Sequence, residues 1–163
     1  MKRTITVIGA VLLLLAPAGT ALARGDGWAP LPVNPYDWSC GPTTVHLTFP
    51  ENREYARDFP QPDGSVIQQF TGFLSVNFAT DAGGSITKNI SGPGKNVFYP
   101  NGDFEYNAGG QNGFTLTEDQ ASALGMPEIF VSSGPIDVII HPDGSITPIR
   151  LPSVFTDICA ELT

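Results

Sequence analysis

The chain has 163 residues, and 16 Asp and Glu against 8 Lys and Arg leave a formal net charge of −8. An acidic balance of that size argues against nucleic acid and anionic membrane surfaces as partners, because both are held by clustered Lys and Arg. The length suits one domain with a real core and is short for two.

In chain order, Met1-Lys2-Arg3 supplies positive charge, residues 5–16 are almost wholly apolar, and Ala21-Leu22-Ala23 follows a Pro17-Ala18-Gly19 break. This is the layout of a secretion signal, so residues 1–23 are expected to be removed between Ala23 and Arg24. The apolar run is shorter than the ~20 residues of a bilayer-spanning helix, and no lipobox cysteine precedes the cut. Losing Lys2 and Arg3 takes the exported form to about −10, with 16 acids against 6 bases. Residues 24–39 are rich in Pro, Gly and Asn and read as a leader without strand periodicity, ahead of a β domain over residues 40–163. Its two cysteines, Cys40 and Cys159, are an even pair in an exported chain and are expected to form a disulfide.

Beyond Cys40 the punctuation becomes regular. Pro62-Asp63-Gly64, Pro100-Asn101-Gly102 and Pro142-Asp143-Gly144 repeat one pattern, and Asp81-Ala82-Gly83-Gly84 adds a fourth corner. Proline presets φ at the first corner and glycine takes the left-handed position, so each predicts a hairpin turn. Between the corners, Phe70, Gly72, Leu74, Val76 and Phe78 alternate with polar residues, as a half-buried strand does, although Phe73 falls on the polar side. Further strands are predicted over residues 43–49, 85–91, 96–99, 103–108, 128–133, 136–141, 145–151 and 154–159. About eight or nine short strands joined by turns predict an all-β fold: an antiparallel meander closed as a lipocalin-like barrel or, as second choice, a β-sandwich. A single helix is predicted at Thr117-Glu118-Asp119-Gln120, where Thr and Gln make a capping box and Gly125 stops the turn.

Chemistry-bearing patterns are few. His46 and His141 sit in different hairpins, no Gly-x-Ser-x-Gly elbow accompanies them, and no zinc or calcium spacing occurs. No catalytic residue, metal ligand or cofactor is therefore expected. Glu105 and Asp137 are the acids read as strand-interior, outward-facing for solubility. The loop at residues 91–96 opens no helix and so is no phosphate cradle. Arg24-Gly25-Asp26 is a chance tripeptide, and Asn89-Ile90-Ser91 is a glycosylation acceptor pattern at a strand end. The aromatic residues remain. Phe70, Phe78, Phe104, Tyr106 and Phe130 either fill a small barrel or line a cavity for one small ligand.

Several marks in order carry a resemblance: Cys40 with the apolar strand after it, Pro62-Asp63-Gly64-Ser65-Val66, Thr71-Gly72-Phe73-Leu74-Ser75-Val76, Asn89-Ile90-Ser91-Gly92-Pro93-Gly94, and the closing Asp157-Ile158-Cys159-Ala160-Glu161-Leu162. Over residues 40–162 the chain resembles small secreted all-β proteins of actinobacterial type with no assigned activity. The resemblance implies an exported β domain and carries over no catalytic residue; the segment from Thr117 to Gly125 departs from that pattern. The expected function is that of a secreted, monomeric, non-enzymatic module, binding a small apolar ligand or an extracellular surface component. A hydrolase of carbohydrate or ester is the competing class, and a purely structural role is the third.

Overall fold

The computed structural model describes residues 27–162, so the expected signal segment and its cleavage between Ala23 and Arg24 lie outside the described residues. The chain is all-β and antiparallel. Its strands are β1 (Ala29–Pro30), β2 (Tyr36–Cys40), β3 (Thr43–Pro60), β4 (Val66–Thr80), β5 (Ser85–Asn89), β6 (Gly94–Phe98), β7 (Phe104–Ala108), β8 (Gln111–Thr115), β9 (Ile129–Ser133), β10 (Ile136–Ile140), β11 (Ile146–Arg150) and β12 (Val154–Asp157). Among the described residues two short helices, α1 (Glu118–Leu124) and α2 (Ile158–Leu162), complete the set of elements.

The long hairpin β3–β4 organises everything else. Its two strands have 18 and 15 residues, against the usual five or six, and each changes partner along its length. The first part of β3 pairs with β2 and its second part with β1. The first part of β4 pairs with β6 and its second part with β5. The sheet therefore forks into two wings at the register shift between Thr48 and Glu51. Gly72 marks the opposite side of the fork at φ 143°, where a β-carbon would run into the Arg53 carbonyl oxygen. One wing is β2-β3-β4-β5; the other runs β1-β3-β4-β6-β7-β10-β11.

Neither sheet closes into the expected barrel. The path of the large sheet ends at β1 on one side and β11 on the other, because the fork spends the chain on two wings instead of curling one ribbon round to meet itself. A second sheet, β12-β9-β8, packs against both wings. Ile129 and Val131 of β9 join Val45, Leu74 and Phe78 of the first wing, while Phe130 joins Phe70, Ala108 and Val138 of the second. A strand packed on both sides shows no alternation, which is why residues 129–132 are all buried.

The four predicted corners all form, and three stand in a row. In each, the glycine amide donates to the carbonyl three residues back, Gln61, Tyr99 or His141, and those residues' own amides donate to Ser65, Asp103 and Ser145. Gly64, Gly102 and Gly144 take φ near 85–90°, at 87°, 89° and 84°. Because β3–β4, β6–β7 and β10–β11 are successive antiparallel pairs, their turns share one end of the sheet. A β-carbon at Gly64 would lie 3.5 Å from the Pro100 ring, and one at Gly102 3.0 Å from the Pro142 ring. Each proline thus rests on the glycine of the turn before it.

Five elements differ from expectation. Ala29–Pro30 and Tyr36–Cys40 are strands within the stretch read as a leader, because β3 offers each a paired edge; Tyr36, Trp38 and Cys40 face inward and Asp37 and Ser39 outward. The charged stretch at residues 51–60 continues β3, since a half-buried antiparallel strand tolerates charge on its wet face. Gln111–Thr115 forms β8 despite its glycine. The last strand stops at Asp157, and Cys159 stands on α2. The helix of residues 118–124 does form: Thr117 accepts from the Gln120 amide, Gln120 accepts from the Thr117 amide, and Gly125 caps the end in the left-handed region. Gln120 also donates to the Gly144 carbonyl at 2.6 Å, pinning α1 to the last turn of the row. Thr117→Ala is expected to cost ~1 kcal/mol of stability, read as a shifted denaturant midpoint; an unchanged midpoint would mean the packing of Ala121 and the Gln120–Gly144 bond hold α1 without the cap.

Candidate binding groove

The aromatic residues read as cavity candidates do not surround one cavity. Phe78 belongs to the first core, and Phe70 and Phe130 to the second, with Tyr106 packed against it. Phe104 lies half-buried beside Phe98, ring centres 5.2 Å apart. In the second core Phe70 stacks on Tyr106 at 5.8 Å, Tyr106 meets Phe114 edge-on at 5.4 Å, and Phe114 stacks on Phe130 at 5.1 Å. These contacts are close-packed aromatic geometry. The gap left between Phe114, Phe130, Val138 and α1 measures about 10 Å³, at the threshold for a single water, and its walls are apolar. The candidate residues are core.

Open space lies instead on the outward face of the second wing. Register places Arg57, Gln69, Lys95, Asn107, Asp137 and Arg150 in one cross-strand row, and β1 brings Trp28 to its end. A groove of about 360 Å³, open to solvent, is lined there by Trp28, Gln69, Thr71, Lys95 and Asn107, with Phe70, Pro93 and Gly94 completing the wall. Trp28 is 47% exposed. Beside the groove, on the same face, Lys95 approaches Glu105 at 3.6 Å, and the Tyr99 hydroxyl donates to Glu105 at 2.6 Å. That bond, with burial, pushes Tyr99 up to about 12. Asn107 donates to Asp137 at 2.7 Å, and among the described residues its own carbonyl oxygen has no side-chain hydrogen bond. The other Asp137 oxygen is buried without a hydrogen-bond partner among the described residues.

Both histidines sit between carboxylates or hydroxyls as fasteners of neighbouring strands. His46 contacts Asp37 at 2.8 Å and Asp81 at 3.0 Å, and these bonds raise its pKa. His141 contacts Asp103 at 2.8 Å and Thr147 at 2.9 Å, which holds Asp103 below the usual carboxylate range. Acid, imidazole and hydroxyl in that order is the arrangement of a nucleophilic triad. Here it joins the second and third stacked hairpins, and the groove and the core gap are lined by other residues.

Glu54 is an interior acid that strand patterning missed. It sits on the core-facing side of β3, 5% exposed, and burial raises its pKa to about 7. It does not form an acid pair with Glu105 or Asp137, because those two lie on the opposite face of the wing. Among the described residues no group of three or more His, Cys, Asp or Glu is arranged to hold a metal ion.

Trp28, Gln69, Thr71 and Lys95 were not read as site residues in the sequence, since only the register of β1, β3, β4 and β6 brings Trp28 and Lys95 beside Gln69 and Thr71 of β4. No family model, curated protein or solved structure matches the chain, so the functional argument rests on the site itself.

Proposed function

We propose that this is an exported, non-enzymatic module that binds an extracellular surface component at the groove beside Trp28. The observation that carries the reading is the contrast between a filled interior and an open, partly aromatic groove of about 360 Å³, a volume within the range of ligand sites. The Cys40–Cys159 bridge supports an oxidising compartment, and the signal-like first 23 residues support export. The small apolar ligand is the weaker arm, because the space the aromatic residues enclose is too small to admit one. The hydrolase is weaker still: Glu105 is engaged by Tyr99 and Lys95, and Asp137 by Asn107.

The test is co-sedimentation of the purified mature protein, starting at Arg24, with envelope material from cells that produce it. Wild type is expected in the pellet and Trp28→Ala to be retained about tenfold less, as for an exposed aromatic anchor. Wild type left wholly in solution, or a variant retained equally, overturns the reading.

A further inference from the structure

The reading above leaves the ligand's chemistry open, and the groove's own groups narrow it. Gln69 is exposed and makes no side-chain hydrogen bond within the described residues, so its amide offers both donors and an acceptor. The Thr71 hydroxyl likewise offers both. Lys95, 44% exposed at its side chain, adds donors; Asn107 adds the acceptor left after its amide is used on Asp137. A set balanced between donors and acceptors suits hydroxyl groups, each of which donates and accepts at once. Phosphate or carboxylate, which only accept, would leave the acceptors facing oxygen.

Charge points the same way. Among the described residues Lys95 is the cation that lines the groove wall and Glu105 answers it; Arg57 of the same row lays its guanidinium over the Phe59 ring, and the whole chain carries −8, so a polyanion gains little and is repelled at range. That separates a sugar from a nucleic acid, although both would stack on an indole. Trp28 supplies the apolar part: a flat, rigid ring of large area at small entropic cost, matched to the C–H face of a pyranose. From β1 across β3, β4 and β6 to β7 the groove spans roughly 19 Å at the spacing of neighbouring strands, and it is open along its outer side. A shape of that kind takes a stretch of polymer from the side.

We infer that the groove binds a neutral glycan chain, with one pyranose ring on Trp28 and the hydroxyls of that ring and its neighbours bonded to Gln69, Thr71, Lys95 and Asn107. This rests on the groove being the binding site for a surface component.

Intrinsic fluorescence tests it, because the chain has two tryptophans and Trp38 is partly buried, donating to the Leu116 carbonyl. Full mature protein is titrated with cellohexaose, xylohexaose, maltohexaose and chitohexaose. At least one is expected to give a saturable blue shift that vanishes in Trp28→Phe emission, to bind about tenfold more weakly to Gln69→Ala, and to keep its affinity as salt rises. A thermal midpoint equal to wild type shows that each variant is folded. If wild type sediments with envelope material but none of the four saccharides shifts its emission, the glycan inference falls and the binding reading stands. Tighter, salt-suppressed binding of polygalacturonate overturns the neutral-chain inference as well. Failure of both sedimentation and titration removes the two together.

Discussion

Breaking the Cys40–Cys159 bridge is expected to remove up to ~5 kcal/mol of stability, the denatured-state entropy released when a loop of more than a hundred residues opens. The bridge closes 119 residues of sequence with α-carbons 5.5 Å apart. It fastens β2, which pairs only with β3, to α2, which has five residues and is too short to hold itself in water. α2 is also held by the buried Ile158 and the partly buried Leu162 against the first core, by the Ala160 amide donating to Asp157 at 3.0 Å, and by the Lys88–Glu161 ion pair at 2.7 Å, the last worth under ~1 kcal/mol at its exposure. Domains of this size are stable by about 5–15 kcal/mol, so the loss is a large share of the total. Guanidinium unfolding of wild type against the Cys40→Ser, Cys159→Ser double variant measures it. A difference below about 1 kcal/mol, with new protease cleavage confined to the last residues, would show that the bridge only pins a fraying end.

The same bridge was readable from composition alone, and so were the corners, because both depend on residue types whose effects are local. Glycine at φ near 90° and proline before it set a turn whatever surrounds them, and the Thr117 box needs only three neighbours. The forked sheet was not readable. Nothing in residues 51–60 announces that β3 passes from one partner to another, since Glu51, Arg53 and Tyr55 on the wet face look like a solvated loop. Alternation also vanishes at Ile129-Phe130-Val131-Ser132, where both faces meet core. The groove was least legible of all. Trp28, Gln69, Lys95 and Asn107 are separated by as many as 79 positions, and each looks ordinary until the registers of β1, β3, β4, β6 and β7 set them side by side.

Glu54 makes stability fall as pH rises from about 4.5 to about 7. Its backbone is clamped in place: the amide donates to the Asn52 side chain, Asn52 donates to the Leu31 carbonyl, and the Leu31 amide donates back to the Glu54 carbonyl. The carboxyl is buried on the core side with no ion-pair partner among the described residues, and that burial lifts it from 4.5 to about 7. Below 4.5 the group is protonated in both folded and unfolded chains and contributes nothing to the balance. Between the two values the folded chain keeps a proton that the unfolded chain has lost, so stability drops by about 1.4 kcal/mol per pH unit. The total is ~3 kcal/mol by pH 7, with no further loss above it. His46, whose pKa is raised by Asp37 and Asp81, acts in the same direction at higher pH; Asp103, held low chiefly by His141, and Asp63 and Asp143, held low by the Ser65 and Ser145 hydrogen bonds of their turns, withdraw stability only in acid. Glu54→Gln separates the buried acid from the rest, because glutamine keeps the shape and cannot ionise. Urea midpoints of the two proteins are expected to coincide near pH 4 and to diverge by ~3 kcal/mol at pH 8 in favour of the variant. Parallel curves across that interval would mean the site around Glu54 opens to water and Glu54 ionises at its ordinary value.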